Sequence, residues 1–193
     1  MKMKSKVKQN PVSKAKLNQR YENIYSRCYR KCYKKDHPAY DGVTMCDEWK
    51  DDKDSFYSWF KENYYEVGEE QMDVDKDILV KGNMVYSPDT CIIVPHSING
   101  LIAQLAEPKL NPDTGTYGIV LSWADGMTNK RYKVDLGEFD TPEEAKQRYA
   151  ECKTSLIRTK ARVYKELISE KLYAALMSYT VTLDDWEKPD KVA

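Results

Sequence analysis

The sequence predicts an α+β protein, and three observations carry that expectation. Apolar residues recur at helical spacing in the N-terminal third, as in Tyr21, Ile24, Tyr25 and Cys28. The middle changes to short β-rich runs broken by Gly82-Asn83 and Ser87-Pro88-Asp89. Past a Pro/Gly/Asn stretch come two strand-like runs joined by a turn, then a helix start followed by a long amphipathic segment. The architecture expected is a helical N-terminal region, a strand–loop–strand–helix centre, and a small antiparallel β-hairpin or sheet with a long C-terminal helix.

Taken in order, residues 1–17 carry Lys at 2, 4, 6, 8, 14 and 16 without apolar periodicity and are expected to form a basic disordered arm. Arg20 to Lys35 is expected to be one helix, with Tyr21, Ile24, Tyr25, Cys28, Tyr29 and Cys32 on one face and Arg20, Arg27, Arg30, Lys31 and Lys34 on the rest. Cys46 to Tyr65 is a second expected helix, with Trp49, Phe56, Trp59, Phe60 and Tyr64 as its packing ridge. Asp73, Asp75 and Asp77 alternate along a predicted strand, which places them on one side. Cys91-Ile92-Ile93-Val94 is a second strand stopped by Pro95, and Ser97 is the expected N-cap of the helix that follows. Acids at one end of this stretch and Asn99 at the other fit either a divalent-metal site or a polar hairpin.

Residues 107–116 are expected to be a linker between a domain at 18–106 and one at 117–193. Tyr117 to Trp123 and Lys130 to Phe139 should pair as a hairpin. Thr141-Pro142-Glu143-Glu144 is a capping-box start for a helix running, with a break, to about Tyr179. Its packing surface is Ile157, Ala161, Tyr164, Ile168, Leu172 and Leu176, and the tail from Asp184 should fray.

Charge and composition narrow the function classes. The formal net charge is zero, yet residues 1–35 hold twelve Lys/Arg against one acid, and residues 36–80 hold four against fourteen. Local balances of +11 and −10 suggest a basic segment for a polyanion beside an acidic region. No apolar run approaches the length of a membrane span, and the Lys-rich start lacks the apolar segment of a signal peptide. A cytoplasmic protein without a membrane partner is expected. The five cysteines do not come in the close pairs of a structural zinc site, so Cys28, Cys32, Cys46 and Cys91 are expected as reduced thiols. His37 and His96 are too few for a His-rich metal site, although His96 lies near Asn99.

Two segments resemble known families. Val74-Asp75-Lys76-Asp77, Asn83 and Ile98-Asn99 are similar to the ββα-metal finger of HNH nucleases, and more closely to its phage recombination endonuclease VII variant. Leu136-Gly137-Glu138-Phe139-Asp140-Thr141-Pro142-Glu143-Glu144-Ala145, with Tyr149, resembles the strand-to-helix end of an APETALA2-type DNA-binding domain. Arg27-Cys28-Tyr29, Val43 to Trp49 and Tyr86 to Cys91 also look like bacteriophage proteins labelled HNH or APETALA2-type endonucleases. The resemblance spans roughly residues 20–180. It implies a finger with flanking helices, double-stranded DNA as partner, and action in the cytoplasm of a bacterial host cell. It further implies Asp75 and Asn99 as ligands of one Mg²⁺, Asn83 as the brace of the loop, and phosphodiester cleavage as the chemistry.

The departure from the family lies at Lys76, where such fingers place the histidine that activates water. A protonated lysine flanked by Asp75 and Asp77 cannot accept that proton. Either His96 or Asp77 takes over the catalytic position, or the finger does not cut. DNA contacts are expected from Arg20, Arg27, Arg30, Lys31, Lys34, Lys130, Arg131 and Lys133, with a two-stranded reader rather than the family's three strands. Two further readings stay open: a catalytically inactive finger that binds and inhibits a host nuclease or defence complex, and an architectural or transcriptional DNA binder.

Overall fold

The computed structural model describes residues 11–187, and the protein is α+β. It divides into two compact units, one ending at Val94 and one beginning at Pro95.

In the first unit, α1 (Lys14–Tyr29) opens at Ser13, whose Oγ accepts a hydrogen bond from the Lys16 amide at 3.2 Å. Leu17, Tyr21, Ile24 and Cys28 fall three or four apart and are buried. The basic arm expected through residue 17 is therefore cut short, because Ser13 caps a helix whose first core residue is Leu17. Residues 1–10 of that arm lie outside the described residues. The single helix expected from Arg20 to Lys35 is two: Arg30 takes extended backbone (φ −83°, ψ 113°) and α2 (Lys31–Asp36) starts afresh.

The second expected helix is also split, into α3 (Asp47–Asp51) and α4 (Lys53–Asn63). Asp52 leaves the helical region, and its carboxylate caps α4, accepting from the Asp54 amide and the Ser55 hydroxyl at 2.9 Å each. Trp49, Phe56 and Phe60 are wholly buried, with Trp49 edge-on to Phe56 at 5.1 Å. Rings of this size each bury on the order of 150–250 Å², so aromatic packing dominates this core.

Two short two-stranded sheets complete the unit. β1 (Thr44–Met45) pairs in parallel with β3 (Val85–Tyr86), and β2 (Met72–Asp75) lies beside β4 (Ile92–Pro95). Met72 and Val74 point inward while Asp73 and Asp75 are half-buried, the alternation a strand requires. Asp77 lies past the end of β2, so the three acids do not share one strand face.

The second unit begins with α5 (His96–Ala103). Its N-cap position is Pro95, whose backbone (φ −57°, ψ 136°) turns the chain into the helix, so Ser97 sits inside the first turn and is not the cap. The sheet that follows has three strands, not two. β5 (Lys109–Leu110), β6 (Tyr117–Asp125) and β7 (Lys130–Phe139) are antiparallel in that order, with Lys109 opposite Gly118. The stretch 107–116 is thus a hairpin, not a linker: the Asn111 amide donates to the Thr116 carbonyl at 2.8 Å, and Gly115 supplies the positive φ (+73°) of the turn. The division between units falls some dozen residues earlier than the expected boundary.

The helix α6 (Pro142–Tyr164) carries the predicted capping box: the Glu144 amide donates to Thr141 Oγ1 and the Thr141 amide to Glu144 Oε2. It lies on the sheet through Ile119, Leu121, Ala145 and Tyr149. The expected break comes after Tyr164, and α7 (Glu170–Ser178) restarts at a Ser169 cap. Ile157, Ala161, Tyr164, Ile168, Leu172 and Leu176 are all buried. Asp184–Trp186 does not fray. Leu183–Asp185 forms a turn of 3₁₀ helix, and the Trp186 indole donates to the Ala106 carbonyl at 3.0 Å, while 188–193 lie outside the described residues. Among the described residues no helix is long and apolar enough to cross a membrane.

Candidate functional site

The loop from Asp75 to Asn83 is closed by its own side chains. Asp75 Oδ1 accepts from the amides of Asp77 and Ile78, at 2.7 Å each, which holds the chain in a turn directly after β2. Burial, with Asp77 alongside, raises the Asp75 carboxyl above the ordinary carboxylate range, against the pull of the two amides and Lys76. Asn83 spans the loop. Its Nδ2 donates to the Lys76 carbonyl (3.0 Å) and the Val85 carbonyl (2.7 Å), and its Oδ1 accepts from the Val85 amide (3.3 Å).

Lys76 is buried at 6% exposure, and its ammonium donates to Asp77 Oδ2 at 2.7 Å and to the Asn83 carbonyl at 2.6 Å. The same nitrogen lies 6.0 Å from the Tyr86 ring centroid. Arg27 donates to the Tyr86 hydroxyl at 3.1 Å and covers the Tyr40 ring at 5.3 Å. Burial pushes the Tyr86 phenol far up, even though Arg27 opposes it, so it stays protonated. Neighbouring Cys91 is pushed up to about 12 by burial, and Cys28 to about 11. Cys32 is exposed.

Mg²⁺ asks for an octahedral shell of oxygen ligands, most of them waters, around one or two carboxylates. The loop does not fit that demand. One oxygen of Asp75 is committed to two amides, and Asp77 already neutralises a cation 2.7 Å away that would repel a second one. Among the described residues no three His, Cys, Asp or Glu side chains gather closely enough to hold a metal ion. Asp75, Lys76, Asp77 and Asn83 belong to the first unit, whereas His96 and Asn99 lie on α5 in the second.

The expected DNA-contacting residues also part company. Arg20 is half-buried, 3.6 Å from Asp73, and Arg27 is spent on Tyr86 and Tyr40, so both brace the first unit. Arg30 is exposed but pairs with Glu22 at 3.0 Å. Lys31 is exposed on α2, with Lys34 half-buried. On the sheet, register decides. Ser122 faces Lys133 and Ala124 faces Arg131, on the side away from the buried Ile119 and Leu121. Lys130 opposes Asp125 and so belongs to the other side, where Asp125 is bound by Lys160 of α6.

The outer face of the sheet therefore has a direction. Arg131 and Lys133 project at the hairpin-tip half beside Ser122 and Ala124, and no hydrogen bond or ion pair engages their side chains among the described residues. Asp135 opposes Val120 in the other half, where Glu138, opposite Gly118, is held by Asn111, Thr114 and Thr116.

Sequence reasoning missed Lys153. It is fully buried on α6, and its ammonium donates to the carbonyls of Ile102 and Gln104, the orphan acceptors at the end of α5. The signal was present: Lys153 occupies the apolar stripe between Tyr149, Ala150 and Ile157. The chain matches no protein-family model, no curated protein and no solved structure.

Proposed function

We propose that this chain binds double-stranded DNA through the exposed face of its three-stranded sheet, and that the loop around Lys76 is a structural element rather than a hydrolytic one. The observation that carries the reading is the pair Arg131 and Lys133, unpaired and side by side over the small residues Ser122 and Ala124. Long cations beside a floor without bulk let a duplex approach closely, with phosphates meeting the guanidinium and ammonium. The three-stranded arrangement also agrees with the APETALA2 resemblance in the sequence better than the hairpin expected there. The bacterial host cytoplasm belongs to this proposal on the sequence resemblance alone.

The structural reading of the loop rests on chemistry at Lys76. An ammonium donating to both Asp77 and Asn83 has no lone pair with which to take a proton from water. Two measurements test the whole. Duplex affinity should fall steeply with salt, since each neutralised phosphate releases counterions; a flat profile, or no binding at low salt, sinks the sheet reading. Supercoiled plasmid with Mg²⁺ or Mn²⁺ should stay intact, and nicking that disappears in Asp75→Ala or Asn99→Ala would restore the endonuclease.

One observation favours a second reading, an inactive module that contacts a basic protein partner such as a host nuclease complex. Glu48, Asp52, Asp54 and Glu62 ring Trp59 in an open groove of about 390 Å³ on α3 and α4. An acidic rim around a half-exposed indole suits a cationic surface. Pull-down of a bacterial protein that is lost in Trp59→Ala with Asp54→Lys, alongside absent DNA binding, would replace the first reading with this one.

A further inference from the structure

The exposed side of α6 holds a groove that neither the sheet nor the Lys76 loop accounts for. It lies between α6 and the segment 180–182 and is an open cleft of about 570 Å³. The second wall is fixed by a tie: the Val181 amide donates to Thr154 Oγ1 at 3.0 Å, and Val181 is buried beneath it. Thr182 closes the end, anchored by its capping exchange with Asp185.

Two arginines line this groove, Arg158 and Arg162, spaced i and i+4 and so adjacent on one helix face. Like charges at that spacing repel, and neither guanidinium is paired with an acid among the described residues, although Glu166 stands one turn beyond Arg162. Arg158 goes further. Its Nε is buried without a hydrogen-bond partner, so it is through the rest of the side chain that the residue lines the groove. The one acid on the groove, Glu151, is engaged at the far end by Gln147 (2.9 Å) and Arg148 (3.9 Å). The hydroxyl of Ser155 completes a donor-rich lining.

We propose that this groove is a binding site for a phosphate group, with Arg158 and Arg162 as its clamp and Ser155 as an auxiliary donor. Two planar guanidiniums present forked N–H pairs that match the oxygens of a tetrahedral dianion or diester. The volume exceeds that of a bare ion and admits a nucleoside attached to the phosphate. The phosphate has two sources with the same chemistry, a free mononucleotide or the backbone of a nucleic acid, and the site stands independently of the sheet face.

The test is calorimetric titration of the full chain at low salt with inorganic phosphate, a nucleoside monophosphate, and a short oligonucleotide. Arg158→Gln, Arg162→Gln and the sheet variant Arg131→Ala/Lys133→Ala run in parallel, each checked by thermal melting. Saturable nucleotide binding that drops about tenfold or more in both glutamine variants, and is unmoved by the sheet variant, assigns a free nucleotide site. The same loss seen with the oligonucleotide alone assigns the nucleic-acid backbone as source. Because Arg162 is exposed, Arg162→Gln tests the clamp even if Arg158→Gln unfolds. Binding of inorganic phosphate that chloride displaces fully, with no response to the other two ligands, means an adventitious ion only and overturns the proposal. Unchanged affinity in Arg162→Gln overturns it as well.

Discussion

The loop around Lys76 and the outer surfaces of the second unit use the same residue types in opposite ways. In the loop, Asp75, Lys76, Asp77 and Asn83 spend their polar groups on one another and on nearby backbone. On the sheet and the groove, Arg131, Lys133, Arg158 and Arg162 keep theirs unspent. Charge committed at hydrogen-bond distance inside a protein holds the backbone; charge left unpaired on a surface is available to a ligand. Lys153 is the exception within the second unit, a charge turned inward to close the end of α5.

If that division holds, inward charges govern stability and outward ones govern binding. The largest effect is expected at Lys153. Lys153→Ala opens a cavity and strands two carbonyls, costing about 3–5 kcal/mol, read as an earlier urea transition of the second unit. Lys153→Met keeps the volume and should recover part of that. An unchanged midpoint for the alanine variant would break the comparison.

Next comes Lys76→Ala, which removes the donor shared by Asp77 and the Asn83 carbonyl and should cost about 2–3 kcal/mol in the first unit. Outward residues should behave otherwise. Arg131→Ala/Lys133→Ala should shift stability by less than about 0.5 kcal/mol. The same double variant should lower the slope of log affinity against log salt by about two, one for each phosphate contact.

The smallest effect sharpens the role of Asp75. Its carboxyl is raised in the fold, so the folded chain holds that proton more tightly than the unfolded chain does. Stability from this group is therefore greatest at low pH and declines as pH rises from its ordinary value near 3.8 through the raised one. Asp75→Asn keeps an oxygen for the two amides and loses the ionisation. Its melting temperature should exceed the wild type at neutral pH, with the gap closing as pH falls toward 4.

The elements most readable in advance are those with strong local chemistry. The Thr141 capping box, the β6–β7 pairing and the stripe from Ile157 to Leu176 depend on near neighbours and appear where expected. The misplaced features depend on distant residues. Arg30 and Asp52 interrupt helices that local periodicity would continue, and β5 exists because Gly118 and Tyr117 offer it an edge. Arg20 and Arg27 looked like solvated cations on a helix, but Asp73 and Tyr86, dozens of residues away, claim them. Of the candidate site, the nearness of Asp75, Lys76 and Asn83 within one short stretch was legible, although the strand expected through Asp77 ends at Asp75. That the loop ties its own charges together was not.

The amino-acid sequence by itself determined the α+β class, the helical N-terminal region ahead of the strands, and the amphipathic faces, because caps, turns and periodicity act over a few residues. Tertiary structure decided which charges are structural and which are available. Burial and hydrogen-bond distance are set by residues far apart in the chain, and they bound Lys76, Arg27 and Lys153 while leaving the side chains of Arg131, Lys133, Arg158 and Arg162 without an acidic partner among the described residues.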